Sequence, residues 1–339
     1  MKLRETYTYN DVLLVPKYSN IRSRHEVDIS SNLSDTLHFR MPVISAPMDT
    51  VTQYEMAKEM DAHGGFGVIH RYNTIEDQAR IVAHLPSNVT KAAAVGVSGD
   101  YAERAAALVE MGADILCLDV AHGHHVMMKE ALHYLRSEYS DIHLMAGNVA
   151  TYEGFQALAE WGANSVRCNI GGGSICSTRV QTGHGMPGLQ TIFDCAHSPL
   201  SGEVKIIADG GIRNSGDIVK ALAAGADFVM LGSLLAGTTE TPGTVKSTPD
   251  NKLYKEYRGM ASKAAQNDWR KRTSSIEGIA ATVPYKGPVS GVLKDLAVGI
   301  RSGLSYSGAR NIKQLRENAE FICQTSAGQI ESSTHILRN

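Results

Sequence analysis

The chain of 339 residues has little proline (10 residues), few aromatics (6%), only five cysteines and almost no net charge. Each shortage excludes something. A formal charge of −2 leaves no electrostatic footprint for nucleic acid and no polybasic anchor for a membrane. No run of about 18 apolar residues occurs, so no membrane-spanning helix is expected. The opening MKLRETYTYNDVLL lacks the apolar core of a secretory leader, and a cytoplasmic location is the expectation. The cysteines (117, 168, 176, 195 and 323) are odd in number and scattered, which argues against a disulfide framework and for reduced thiols, with room for one reactive thiol. What is plentiful is apolar residue, 43%, and glycine, 32 residues. A sizeable core is therefore possible, wholesale disorder is excluded, and the glycines suit tight strand–helix turns.

Short apolar runs alternate with longer amphipathic ones. Strands are expected at Val43–Ala46, Gly67–His70, Ala93–Val97, Ile115–Asp119, His143–Ala146, Ser165–Cys168, Lys205–Ala208 and Phe228–Leu231. Helices are expected at Gln53–His63, Ile75–His84, Tyr101–Met111, Val126–Glu138, Tyr152–Trp161 and Ser215–Ala224. Alternation of this kind predicts parallel pairing, because parallel strands need a crossover. Met111-Gly-Ala-Asp114, Trp161-Gly-Ala-Asn164 and Ala224-Gly-Ala-Asp227 read as one device, a left-handed glycine cap leading into a strand. The reading is a (β/α)8 barrel over 1–339, with a doubly wound open sheet as the alternative. Two stretches break the alternation: a glycine-rich loop at 170–186, and a long polar stretch at 238–287 that reads as a mobile catalytic flap. In a barrel they follow strands six and eight, on the catalytic face.

In Gly171-Gly-Gly-Ser-Ile-Cys-Ser-Thr-Arg179, three glycines let backbone N–H groups approach an anion, and a helix start beyond them would favour a Cys176 thiolate. Cys176 is a candidate nucleophile, and Thr178 can donate or relay a proton. In Ile207-Ala-Asp-Gly-Gly-Ile-Arg213, Asp209 at a strand end can accept two ribose hydroxyls, while Gly210 and Gly211 leave room for phosphate. Met230-Leu-Gly-Ser233 follows the next strand, so glycines stand where barrels commonly hold phosphate. Asp119 and Gly147-Asn148 end strands four and five and face the same cavity. The histidines of Ala121-His-Gly-His-His125 raise the thought of a metal, but no ligand spacing completes one. Glu277 can accept hydrogen bonds from purine N–H groups, and the basic residues near 270 read as a solvated lid.

These motifs resemble the IMP dehydrogenase/GMP reductase family. The likeness runs through Tyr9-Asn-Asp-Val-Leu-Leu-Val-Pro16, Ser45-Ala-Pro-Met-Asp-Thr-Val-Thr52, Gly147-Asn-Val-Ala-Thr151, the Cys loop, 207–218, 231–238, Tyr257-Arg-Gly-Met260 and Val283-Pro-Tyr-Lys-Gly287. The resemblance implies a barrel, usually tetrameric, that acts on GMP or IMP with a nicotinamide cofactor. The regulatory CBS pair of many IMP dehydrogenases would fall between strands two and three, where His70 and Ala92 stand too close to hold it. The resemblance makes Cys176 the nucleophile at purine C2, with Thr178 and Glu277 in support. Ser174, Gly211, Gly232, Ser233 and Tyr257 would hold the phosphate and Asp209 the ribose. Gly259, Met260 and Glu277 would grip the base, and Asp119, Asn148 and Arg167 would face the cofactor. Family loops can also carry potassium on carbonyls such as those of Gly171, Gly173 and Cys176, and the tail 326–333 resembles a segment that a neighbouring subunit adds to that ion. Two positions depart from the family pattern: Asn169 replaces a glycine and Gly172 a proline.

Two reactions share the Cys–purine adduct. A dehydrogenase needs a base on its flap, an Arg-Tyr pair, to activate water. Between Ser262 and Glu277 this chain offers only Trp269-Arg270, and an indole cannot do a phenol's proton chemistry. GMP reductase with NADPH, giving IMP and ammonia, is therefore the expected activity. IMP dehydrogenase with NAD, forming XMP, is the alternative, supported by the Ser45–Thr52 and Tyr257–Met260 motifs and the tail; Arg270 with Tyr285 could rebuild its base. A silent nucleotide-binding scaffold and an enzyme for a modified purine nucleotide are further alternatives.

Overall fold

A computed structural model describes residues 3–271 and 276–332. Eight short strands close into a parallel barrel: β1 (Val43–Ser45), β2 (Phe66–Ile69), β3 (Ala92–Val95), β4 (Ile115–Asp119), β5 (His143–Val149), β6 (Ser165–Cys168), β7 (Lys205–Asp209) and β8 (Phe228–Leu231). Each pairs with its neighbour in sequence. Closure comes from β8 on β1, with Val229, Met230 and Leu231 opposite Val43, Ile44 and Ser45, which excludes the open sheet. The expected strands and helices recur with small shifts at their ends.

The period of two sorts each strand's residues. Ile44, Phe66, Val68, Ala92, Ala94, Ile115, Cys117, Met145, Ile207, Phe228 and Met230 form one buried cluster inside the barrel. Their neighbours, such as Val43, Ile69, Leu116, Leu118, Leu144, Val166 and Val229, pack outward against the helices. Phe39, from a ribbon of Ser31–Asn32 with His38–Phe39, puts its ring 4.5 Å from Phe66 and 5.7 Å from Phe228. Burying each such ring stabilises by about 1.5–3 kcal/mol. The plug closes the amino-terminal end of the barrel, so the carboxy-terminal end is where a cleft can open.

Helices alternate with the strands: α1 (Tyr54–Ala62), α2 (Ile75–His84), α3 (Tyr101–Glu110), α4 (Val126–Glu138), α5 (Tyr152–Glu160), α6 (Thr178–Thr182), α7 (Gly188–Ala196) and α8 (Ser215–Ala223). Their ends have local causes. The Thr74 and Thr151 hydroxyls accept from Asp77 N and Gly154 N (3.0 and 3.1 Å), and the Asn214 side chain accepts from Asp217 N (2.9 Å). The three Gly-Ala exits share one cap. Gly112, Gly162 and Gly225 have φ of +84°, +104° and +121°. The next alanine donates back across the turn in each, as Ala113 N does to Leu108 O (3.0 Å).

The stretch at 238–287 is more structured than a polar loop. It holds a three-stranded antiparallel sheet, β9 (Lys246–Ser247), β10 (Leu253–Arg258) and β11 (Ala280–Pro284), with α9 (Lys263–Arg270) between the last two. Further on come α10 (Val289–Tyr306), α11 (Ile312–Asn318) and α12 (Ser326–Glu331).

Candidate active site

Strand parity that puts Cys117, Ser165 and Ile207 inside the barrel carries Asp119, Arg167 and Asp209 to its upper rim. Arg167 lies between the two acids, with Nη1 2.5 Å from Asp119 Oδ1 and Nη2 2.8 Å from Asp209 Oδ2. Burial works to lower the Arg167 pKa, and the Asp209 and Asp119 carboxylates overcome it and hold the guanidinium charged. Asn148 Nδ2 donates to Asp209 Oδ2 (2.7 Å) and to Asn169 O (3.0 Å). This polar floor is fixed by its own bonds and belongs to a cleft of about 450 Å³.

The Cys loop follows β6. Cys176 is exposed, and its Sγ lies 3.1 Å from Thr178 Oγ1. The loop is stitched to the residues before β11: Ser177 N donates to Glu277 O (3.0 Å), Ile279 N to Ile175 O (3.0 Å), and Cys176 faces Gly278 in an antiparallel bridge. That pairing brings Glu277 to the same cleft as the thiol. Helix α6 has five residues and Cys176 precedes its cap, so the dipole expected from sequence has little helix behind it, and Thr178 is the nearer aid. Cys117, Cys168 and Cys195 are buried, and burial pushes the Cys117 thiol up to about 12.

The glycine corner is tight. A Cβ on Gly232 would fall 2.9 Å from Tyr257 Oη and 3.2 Å from Met48 Sδ. Burial raises the Tyr257 phenol pKa, and a hydrogen bond with Ser174 works against it, which joins the two residues at that corner. Gly211 brings its backbone against Gly172, and Met260 Sδ accepts from Asp49 N (3.3 Å).

The two family departures prove to be one exchange. The place of a Gly172 side chain is taken by Asn169, whose Nδ2 lies 2.1 Å from where that Cβ would be. Asn169 is buried, and its Nδ2 also donates to Gly210 O (3.3 Å).

Over the cleft lies α9. Its Ser262 cap accepts from Ala265 N (3.2 Å), and Trp269 stacks near Tyr72 with ring centres 6.3 Å apart. Arg258 ties this flap to the barrel, with Nη2 2.6 Å from Asp49 Oδ2 and Nη1 2.5 Å from Asp268 Oδ2.

Apart from the tail at 326–333, every residue singled out from the resemblance for catalysis, substrate, cofactor or potassium lines this one cleft. Tyr285 does not; its hydroxyl meets Thr239 Oγ1 at 2.8 Å. The Arg270 side chain and Ser333 lie outside the described residues. Among those residues no group of three His, Cys, Asp or Glu side chains comes together as a metal site. Sequence reasoning missed Arg71, Tyr72 and Gln266, which also line the cleft. Arg71 and Tyr72 directly follow β2 and His70, a place that barrel geometry marks as catalytic-face.

Known proteins share this architecture. A family model described as IMP dehydrogenase / GMP reductase domain matches residues 6–335. An inosine-5′-monophosphate dehydrogenase of Nitrosopumilus maritimus is 35% identical over 472 residues, covering 99% of this chain and 99% of that protein. One of Aquifex aeolicus is 33% identical over 478 residues, covering 99% and 96%. These alignments are longer than the chain's 339 residues, so such relatives carry stretches with no counterpart here. Among solved structures, a cysteine-to-alanine variant of GMP reductase from Trypanosoma brucei, in complex with guanosine 5′-monophosphate, superposes with a TM-score of 0.93 at 28% identity, covering 99% of each chain.

Proposed function

The chain belongs to the IMP dehydrogenase/GMP reductase family, and we propose that within it this protein is a GMP reductase. The observation that carries the reading is what the flap brings to the cleft. Among the described side chains of α9, Gln266 lines it, and a carboxamide cannot take a proton from water at neutral pH. Arg258 is held between two carboxylates, and Trp269 packs near Tyr72. Hydrolysis of a Cys–purine adduct needs a base, and that service is worth about 10²–10⁴-fold in rate. Reductive deamination does not call on water at all.

In this reading the Cys176 sulfur bonds to C2 of GMP. The thiol proton passes through Thr178 Oγ1, 3.1 Å away, toward the departing amine, with Glu277 as the second proton carrier. The C2–N bond breaks and ammonia leaves. NADPH, held against Asp119, Asn148 and Arg167, would supply a hydride for C2; the C2–S bond then breaks, the sulfur recovers a proton, and IMP is released. The balance is GMP, NADPH and one proton giving IMP, ammonia and NADP⁺. Asp209 holds the ribose and the glycine corner with Ser174, Ser233 and Tyr257 holds the phosphate. The cleft wall suits a nicotinamide carboxamide, because Arg71 Nε is buried there with no hydrogen-bond partner, Asp119 Oδ2 standing 3.9 Å off.

The second reading, oxidation of IMP to XMP with NAD, is favoured by the dehydrogenase names of the relatives at 33–35% identity. Nicotinamide absorbance decides between the two. GMP-dependent loss of NADPH with release of ammonia supports the reductase. NADH formation from IMP and NAD, without GMP-dependent loss, refutes it.

A further inference from the structure

Arg179, in the first turn of α6, folds back into its own loop. Its Nε and Nη2 both donate to Ile170 O (3.2 and 3.1 Å), Nη2 also donates to Met186 O, and Nη2 stands 3.5 Å from Asn169 Oδ1. The side chain threads between the two ends of the loop. A Cβ on Gly171 would fall 2.5 Å from Arg179 Cγ, and one on Gly185 2.6 Å from it. The loop thus closes around a cation, with main-chain oxygens from both ends turned toward it.

The fit of potassium can be judged against this. Of the three carbonyls that the resemblance offers, that of Gly173 already accepts from Cys176 N (3.1 Å). Gly171 presses against the guanidinium, with Nε 2.9 Å from its would-be Cβ. A second monovalent charge there would sit beside a fixed one of the same sign, and the two repel. The set thus offers a cation one carbonyl already in use and a like-charged neighbour.

We propose that Arg179 is the resident cation of the Cys loop, a positioning residue that holds Cys176 and Thr178 in place without potassium. Its fork satisfies two carbonyls at once, those of Ile170 and Met186. Pinning Arg179 also pins the adjacent Thr178, whose hydroxyl meets the Cys176 sulfur. The proposal rests on Cys176 being the reacting thiol, and not on which of the two reactions it serves.

The test titrates potassium chloride against N-methylglucamine chloride at constant ionic strength. It reads three things on the full chain: the rate of Cys176 alkylation by iodoacetamide, the dissociation constant of GMP, and turnover. The unmodified protein should change by less than about twofold in each up to about 100 mM potassium. Arg179→Ala should shift alkylation by about tenfold or more, as loss of a supporting shell commonly does. Guanidinium or potassium at tens of millimolar should partly restore it, and N-methylglucamine should not. A gain of about tenfold with potassium in the unmodified protein would overturn the proposal. So would an Arg179→Ala variant that behaves like its parent. If circular dichroism shows that Arg179→Ala is unfolded, Arg179→Lys takes its place. A lysine keeps charge but loses the fork, so it should show a potassium-insensitive alkylation shift of a few fold, and a potassium-dependent one refutes the assignment. Alkylation and nucleotide binding remain readable even if GMP turnover is absent, which separates failure of this proposal from failure of the reductase reading.

Discussion

Replacing Arg167 by Met should leave two carboxylates facing each other across the floor of the cleft. The side chains are 8% exposed for Arg167, 19% for Asp119 and 13% for Asp209, so solvent compensates only in part. Removing one member of a buried charge cluster costs about 3–5 kcal/mol, and the residual exposure of the acids argues for the lower end, about 3. Unfolding entropy near 2.1 cal/mol/K per residue gives about 0.7 kcal/mol/K for a chain this long, so Tm should fall by about 4 °C. Adding Asp119→Asn should return roughly half of that, because one of the two unpaired charges is gone. The assay is differential scanning calorimetry of the parent, the single variant and the double variant at neutral pH. An Arg167→Met protein with unchanged Tm, or a double variant no more stable than the single one, would show that the network carries no such strain.

Three further outcomes follow from the same geometry. Burial holds His70 down to about 4 and His143 to about 3, from an ordinary 6.5, so the folded chain keeps them neutral while the unfolded chain takes up protons. Stability should therefore be lost as pH falls from about 6.5 toward 4, by at most about 3 kcal/mol for each group, and His143→Gln should flatten the slope in a thermal melt. Gly172→Ala should damage the Cys loop, because its Cβ would land 2.1 Å from Asn169 Nδ2, and adding Asn169→Gly should restore Cys176 alkylation to near the parent rate; an additive double variant would refute the exchange. Gly232→Ala puts a methyl 2.9 Å from Tyr257 Oη, and calorimetry should show GMP binding weaker by about tenfold, some 1.4 kcal/mol.

Much of the barrel was legible because each strand and helix keeps its own period and each Gly-Ala exit uses the same cap. The rim acids were legible for the same reason: Asp119 and Asp209 end their strands on the inward parity. What stayed hidden depends on partners far apart in the chain. Arg258 meets Asp49, 209 positions away, and nothing local marks that pair. The sheet of β9 to β11 was missed because its middle strand buries a lysine. Lys255 occupies an inward position of β10, buried like a core residue, so the alternation that signals a strand reads as polar.

That buried lysine shows how the loops above the barrel are built. Lys255 Nζ donates to the carbonyls of Thr238 (3.2 Å) and Thr241 (2.5 Å), and burial lowers its pKa while Glu240 opposes the shift. Lys286 Nζ donates to Ser233 O (3.0 Å) and Leu234 O (3.1 Å). With Arg179, each is a side-chain cation in a nest of main-chain oxygens, and at the buried Lys255 those oxygens would otherwise be left unpaired, which costs about 1–3 kcal/mol for each group. A loop held this way is stiff without hydrophobic contact of its own, so it can stand over an open cleft. It also uses up the donors that hold it. Among the described residues, the buried side-chain donors left without a partner are Arg71 Nε and Asn73 Nδ2, and Arg71 lines the cleft. A ligand oxygen placed there would take up a donor that the scaffold has left open, and under the proposed function this makes Arg71, which the sequence did not single out, a candidate to receive the cofactor.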